Sequence, residues 1–505
     1  MSGETRMNKQ AHFEAGFIDT HGLWSDDQRR QAQDIRQRLA TGDIRLVRLA
    51  WADPHGASRA KTVTVPTFLG ALTNGYNINV ATHTLDLAGA RVFSSFVSGG
   101  GMGLAEMTGS PNLTIVPDPA TFRVLPWAPD IAWVMCDEFF DNGVPFHFSP
   151  RQLLKKKLAQ LNERGLDSIV GLEIEWYLLR PAEDHFAAEH VGMPGRRGRA
   201  ITTWPAEPGF ILHSETNFDL IQTPMSALAD ACAKLDLPLS SIENEWGPGQ
   251  IECTFAPHQA LQTADNVVLF RTATRQLMRR LGYFATFMPR PALPGYYSSG
   301  WHLHQSLVDS GTRKNAFTSQ DGNLLSPLGM AYLGGLLHTA VATTPFTTPT
   351  VNGYRRFRAN SLAPDRCTWS FDHRGVLLRV LGGPSSKAAR IENRVGEPAA
   401  NPYLFILSQL ISGLDGIDHH RDPGPRSEEP YSAERARLPK TLSEALDALQ
   451  GSELMQRELG PVFMDYFLKL KRSEAGRFAQ WLADNGQTDA GEPTAWEQDE
   501  YFDFF

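Results

Sequence analysis

Acidic residues set inside otherwise apolar strand patterns are the feature that most restricts this chain. In SIVGLEIEWYLL (168–179), Glu173 and Glu175 stand two apart. A strand turns residues i and i+2 to one face, so both carboxylates point the same way. Ile169, Val170, Leu172, Ile174 and Trp176 make the segment apolar, which favours burial over an exposed edge. Two buried carboxylates repel each other and lose hydration, so one protonates or a cation compensates them. In IENEWGPGQIECTF (242–255), Glu245 precedes the turn Gly247-Pro248-Gly249 and Glu252 follows it. A hairpin there folds the two carboxylates back towards each other. SSGWHLHQSL (298–307) puts His302 and His304 on one strand face, and RIENR (390–394) does the same for Arg390, Glu392 and Arg394.

Each segment alone has an ordinary reading: a solvated hairpin, a structural histidine, a surface charge ladder. Together they supply five carboxylates and one or two imidazoles on four strand-like segments. Such an oxygen-rich set suits Mg²⁺ or Mn²⁺ better than zinc, which prefers sulfur and imidazole. Arginines accompany it at Arg356, Arg374, Arg379, Arg390 and Arg394. Hard divalent ions with several arginines are what phosphoryl transfer requires, because charge on the moving group must be neutralised.

The rest of the chain bounds the setting. Its 505 residues allow a large domain and a smaller one. The net charge of −8 argues against a general nucleic-acid binder. Cys136, Cys232, Cys253 and Cys367 lie far apart and form no CxxC pair, so buried free thiols are expected. The polar start MSGETRMNKQ has no apolar h-region, and no run is long enough to span a membrane, so a cytoplasmic protein is expected. Residues 1 to about 25 read as a loose extension that orders only on contact. Asp26 to Leu39 reads as an amphipathic helix with Ser25 and Gln28 forming a capping box. The strand patterns IRLVRLAWAD and SRAKTVTVP flank the turn Asp53-Pro54-His55-Gly56. The glycine loop SGGGMG (98–103) has no GK[ST] after it and is not read as a phosphate cradle. Ser149 and Pro150 open a further helix, and the domain boundary is placed there: 26–145, then 146–505. Arg426 to Trp481 is mostly helical in pattern, and the aromatic tail WEQDEYFDFF is expected to dock on the body or on a neighbouring subunit.

In the order and spacing of these motifs the chain resembles the glutamine synthetase family, from about Ile44 to near its end. The resemblance implies an α+β fold, with a small N-terminal β-grasp domain and a large glutamine synthetase-type catalytic domain. It also implies a homo-oligomeric ring, such as a dodecamer, with active sites between subunits. Carried over motif by motif, Glu175, Glu245 and Glu252 would hold one metal, and Glu173, His302 and Glu392 a second. His304 and Ser306 lie in the segment that contacts ATP, and Arg379, Lys387 and Arg390 match its phosphate-binding residues. Arg356 and Arg394, with Gly300, match positions that grip L-glutamate; Arg374 matches one that bridges the transferring phosphate. Asp53 resembles an aspartate lent across the subunit interface to take the amine's proton. The implied chemistry is phosphorylation of the glutamate γ-carboxylate by ATP with Mg²⁺ or Mn²⁺, then attack by a neutral amine.

Departures from the family pattern bear on the amine. In RRFRANSLAP, Leu362 stands where ammonia-using members carry a flap glutamate. A carboxylate there would attract ammonium and take its proton; leucine does neither, which favours a hydrophobic amine such as aniline. Tyr297-Ser298 replaces the usual Asn-Gly, and Glu243 stands where a histidine is usual. Tyr431 lacks the context of the family's adenylylation site. The competing readings are a ligase for an alkylamine, ethanolamine or polyamine, ordinary glutamine synthesis, and a non-catalytic glutamine synthetase-like structural protein.

Overall fold

Two sheets organise the chain, and the larger one carries its acid-bearing strands side by side. The computed structural model describes residues 15–183, 185–358, 360–432 and 434–505. Residues 1–14 of the expected extension lie outside them. The first sheet contains β1 (Leu46–Ala52), β2 (Ser58–Thr64), β3 (Tyr76–Asn79), β4 (Asn112–Pro117), β5 (Arg123–Leu125) and β6 (Ala128–Phe139). Its order is β2-β1-β6-β4-β3, with β5 on β6. The second contains β7 (Leu166–Pro181), β8 (Thr203–Pro205), β9 (Leu239–Asn244), β10 (Gln250–Gln259), β11 (Phe284–Thr286), β12 (Trp301–Asp309), β13 (Trp369–Phe371), β14 (Leu378–Leu381) and β15 (Arg390–Gly396). Its order is β13-β14-β15-β12-β7-β10-β9, with β8 and β11 also on β7.

Packing divides the chain into a smaller unit (described residues 15–51, 60–78, 112–146) and a larger one (52–59, 79–111 and 147–505). The boundary expected at 145/146 puts 52–59 and 79–111 with the first domain, whereas packing groups them with the larger unit. Their partners lie hundreds of residues away: Asn401 Nδ2 donates to the Asp53 carbonyl at 3.2 Å, and Tyr466 Oη to the His83 carbonyl at 2.6 Å. Residues 17–24 of the expected extension are ordered by contact with the smaller unit. Phe17, Leu23 and Trp24 pack on a cluster of Ile18, Val116 and Phe139 in the smaller unit.

Local signals explain most helix starts. Ser25 and Gln28 form the capping box of the helix Asp26–Leu39. Ser149 stands at the N-cap of Pro150–Glu163, but its hydroxyl makes no capping bond and is buried without a partner. Val65 and Pro66 of the expected second strand instead open a helix, Val65–Asn74, because proline fits a first helical turn. Among the described residues between Arg426 and Trp481 the helices run from Leu442 to Gln450 and from Glu453 to Asp484, so the span is mostly helical from Leu442 onward. The aromatic tail docks on its own chain: Phe502 stacks on Phe284, and Tyr501 Oη donates to Glu474 at 2.7 Å. The four cysteines are free, three of them buried. Among the described residues no helix is long and apolar enough to cross a membrane.

The period-two pattern of β7 gives the large sheet its polarity. Ile174 and Trp176 point to one face and are fully buried, with Cys253 of β10 and Leu303 of β12. Trp176 stacks on Phe287, Phe270 of the helix Ala260–Arg280 meets both Phe255 and Phe287, and Phe405 of the helix Pro402–Asp418 meets Trp301. Each such buried side chain contributes roughly 2 kcal/mol. That face is filled with helices, so the other face, with the glutamates, is left for chemistry.

Candidate active site

Register brings the acidic residues together. In the β7–β12 pair Glu173 stands opposite His302, and in the β7–β10 pair Glu175 stands opposite Glu252. In the β14–β15 pair Arg379 stands opposite Glu392. One oxygen of Glu173 lies 3.0 Å from His302 Nδ1 and the other 3.0 Å from His304 Nε2. Two sets of three ligand atoms each come within 4.8 Å of one another: Glu173, His302 and Glu392, and Glu175, Glu252 and His302. The first is the set expected for the second metal. In the other, His302 stands with Glu175 and Glu252, while Glu245 falls outside this close grouping. Glu245 follows β9, its amide donating to the Gln250 carbonyl at 2.8 Å across the hairpin.

Electrostatics divide the glutamates into two kinds. Burial pushes the Glu252 carboxyl up to about 10, helped by the charges of Glu175, Glu173 and Glu245. Burial likewise raises Glu175 to about 8, with Glu245 adding to it, and raises Glu245. Burial works against ionised Glu173 too, but hydrogen bonds from His302 and His304 hold it far below the usual range. Glu392, fully buried, resists burial through Arg394, His302 and His304 and stays low. Arg379 Nη1 donates to it at 3.2 Å, and Arg394 Nη1 also donates to it. Three crowded, raised carboxyls facing two that are held ionised form an oxygen-rich donor set that fits hard divalent cations. A cation there removes the repulsion that otherwise forces protons onto Glu175 and Glu252.

Gly300 sits where the set meets the arginines. A Cβ there would lie 3.2 Å from His302 Nε2, 3.3 Å from Arg356 Nη2 and 3.3 Å from Glu175 Oε1. Gly300→Ala is expected to push against His302, Arg356 and Glu175 and to destabilise the protein by about 1–3 kcal/mol. A thermal melt checks this; an unchanged midpoint contradicts it. Arg356 is buried, donates to the Val395 carbonyl at 2.9 Å, and leaves its Nε unpaired. Arg394 Nε donates to the carbonyl of Arg374, whose own side chain is exposed.

A cavity of about 890 Å³ opens beside Glu173 and is lined by His304, Ser306, Lys387 and Arg390, among others. Arg390 Nε lies 3.1 Å from His304 Nδ1. Of the expected phosphate-binding residues, Arg379 stands apart from this lining and is committed to Glu392 and Asp372. Leu362 is 61% exposed, and its φ of +62° is a left-handed conformation that costs a leucine strain. The Asp53 carboxylate is held within its own turn. It accepts from the amides of His55 (2.9 Å) and Ala57 (3.0 Å) and from Arg59 Nε (2.7 Å).

Two residues of this site escaped the sequence reading. Gln250 Nε2 donates to Glu175 at 2.7 Å, to the Ser298 carbonyl at 3.0 Å and to Ser299 Oγ at 3.0 Å, which orients Glu175. Its position two residues before Glu252 was a usable signal, because both share one strand face. Glu397 is fully buried beside Arg356, and Thr350 Oγ1 donates to it at 3.0 Å. Burial pushes its carboxyl up to about 8, against the Arg356 charge.

The family model "Glutamine synthetase, catalytic domain" matches residues 147–487. The chain belongs to the glutamine synthetase family and is a ligase. It is 42% identical over 491 residues to a gamma-glutamylanilide synthase of Acinetobacter sp, covering 96% of this chain and 98% of that protein. A glutamate–isopropylamine ligase of Pseudomonas sp is 29% identical over 456 residues, or 88% of this chain and 95% of that one. A solved ligand-free GmaS structure superposes with a TM-score of 0.72 at 27% identity, covering 91% of this chain and 97% of that one. A GmaS/ADP complex gives the same TM-score of 0.72 at 26% identity, covering 89% and 98%.

Proposed function

We propose that this protein couples ATP cleavage to the joining of L-glutamate and a hydrophobic amine, aniline or a close relative, through a γ-glutamyl phosphate. The observation that carries the ATP half is the shared Glu173: it belongs to one cation set and also lines the adjoining 890 Å³ cavity. The existence of a GmaS/ADP complex with this fold supports placing the nucleotide there. Bound divalent ions would supply charge neutralisation for the transferring phosphoryl group. Arg356 and Arg394 then hold glutamate with its γ-carboxylate towards the cavity, and Arg374 and Arg379 offset charge on the phosphoryl group.

In the first step a γ-carboxylate oxygen bonds to the γ-phosphorus of ATP, and the bond to ADP breaks. In the second, the amine nitrogen bonds to the acyl carbon and phosphate leaves with that oxygen. The amine loses one proton, for which Asp53 of a neighbouring subunit in a ring assembly is the candidate acceptor. To act, Asp53 must exchange its Arg59 partner, so an amine that arrives neutral suits this chain. Arylamines are largely unprotonated near neutral pH. The apolar Leu362 flap and the similarity to a gamma-glutamylanilide synthase point the same way. A β-grasp reading of the smaller unit and a cytoplasmic setting belong to the same proposal.

Glu243 favours a second reading, a basic alkylamine. It lies beside the site, 3.6 Å from His213, and adds a negative charge that an alkylammonium would find attractive. The similarity to a glutamate–isopropylamine ligase is consistent with that. Phosphate release with ATP, Mg²⁺ and glutamate, measured against aniline, isopropylamine, methylamine, putrescine and ammonium, separates the two. The proposal expects the highest kcat/KM with aniline. Highest turnover with isopropylamine or putrescine supports the second reading, and turnover with ammonium alone contradicts both.

A further inference from the structure

We propose that a second pocket, away from the metal, glutamate and nucleotide residues, binds a small multivalent anion, a polycarboxylate or a phosphate. The pocket has a volume of about 560 Å³ and is bounded by residues 56–59, the helix Ala260–Arg280 and residues 503–505. That is large for a lone ion and in the ordinary range for a small organic ligand. None of the residues assigned to the active site lines it.

Its lining is dominated by guanidinium groups: Arg59, Arg197, Arg271, Arg275, Arg279 and Arg280, against one acidic side chain, Asp503. Arg59 is paired with Asp53 at 2.7 Å. Among the described residues the other five form no ion pair; their acceptors are neutral. Arg271 donates to the carbonyls of Pro398 (2.9 Å) and Ala400 (3.0 Å). Arg275 donates to the carbonyls of Phe504 (2.5 Å) and Asp503. Arg197 donates to the Leu87 carbonyl and leaves a buried Nε without any acceptor. Arg280 reaches only the Gln276 carbonyl, at 3.1 Å, and Arg279 lies over the Phe186 ring at 5.8 Å.

Neutral carbonyls satisfy N–H groups, and the nearby charges of Asp503 and Glu500 offset only part of the guanidinium charge. Burial, with the like charge of Arg279, pulls the Arg275 guanidinium down to about 10 against the opposing charge of Asp503, and Arg197 adds to the repulsion; burial does the same to Arg271. An anion with two or more negative groups relieves that repulsion and completes charge-assisted hydrogen bonds that carbonyls only partly supply. The Phe504 ring beneath Arg197, 4.7 Å from its guanidinium carbon, gives the ligand an apolar floor. Arg59 links the pocket to the active-site proposal: its Nε holds Asp53, so an anion on the same guanidinium competes with Asp53 for it.

Calorimetric titration of the full-length protein in metal-free buffer, with tricarballylate and with inorganic phosphate in separate runs, tests this. The expected result is saturable binding of at least one of the two at about 1 mM or tighter. Arg279→Ala/Arg280→Ala is expected to weaken it about tenfold or more, while Lys387→Ala, in the nucleotide cavity, leaves it unchanged. The probe that binds tells a carboxylate site from a phosphate site. No binding of either probe up to about 10 mM overturns the proposal. So does binding that is lost with Lys387 and kept in the double variant. A double variant that binds no anion but changes oligomeric state by size exclusion assigns the pocket to a subunit contact, and also overturns it. If the double variant melts early, Arg280→Ala alone, at an exposed position, replaces it and is expected to weaken binding in the same direction.

Discussion

Glu252→Gln is expected to stabilise the metal-free protein and to disable the enzyme, two effects of opposite sign from one atom exchange. In the metal-free protein burial and the neighbouring glutamates raise Glu252 to about 10, well above an unfolded glutamate near 4.3. A carboxyl raised on folding contributes stability that is complete below its unfolded pKa. That stability is lost as pH rises towards and through the folded value. The amide carries no charge to bury, so its advantage grows from about pH 4 upward and reaches roughly 2 kcal/mol or more by pH 9. The same change removes an anionic oxygen from one cation set, costing about 3–5 kcal/mol of transition-state stabilisation, or roughly 10²–10⁴ in kcat/KM. Melts at pH 5, 7 and 9 in chelator, beside kinetics in excess Mg²⁺, read both. A variant less stable at pH 9 and fully active contradicts the assignment.

Leu362→Glu is expected to turn the amine preference. A carboxylate at the exposed flap position attracts ammonium and offers it a proton acceptor, while an arylamine loses an apolar wall worth about 1–2 kcal/mol. The ratio of kcat/KM for aniline over ammonium should fall by about 10²-fold when both contributions act. Because Leu362 sits at φ +62° and is exposed, the substitution removes no core contact, and stability should be little changed. An unchanged ratio, in a variant that folds as the parent does, removes the flap from the account of specificity.

What the sequence made legible follows from the short range of its signals. Glu173, Glu175 and Glu252 announced themselves by alternation within apolar strands, and the hairpin through Gly247-Pro248-Gly249 needs only local turn chemistry. His302 and Glu392 joined them because the strands carrying them pair, which no local pattern states. That pairing also explains why His302, rather than Glu245, completes the close set with Glu175. Glu397, in VGEPAAN, has no local pattern to mark it as a buried carboxylate beside Arg356, and its hydrogen-bond partner Thr350 stands 47 positions away. Residues 52–59 and 79–111 read as part of the N-terminal domain because sequence neighbours were the only guide. Their packing partners, Asn401 and Tyr466, come from the far end of the chain.

Activation of the glutamate carboxylate by phosphorylation before amine attack is tested most directly with an isotope. With both γ-carboxylate oxygens of glutamate labelled with ¹⁸O, ATP, Mg²⁺ and aniline are added, and released phosphate is analysed by mass. One ¹⁸O is expected in each phosphate formed, because the bridging oxygen of the acyl phosphate leaves with phosphorus. Unlabelled phosphate, with the amide still formed, would contradict it.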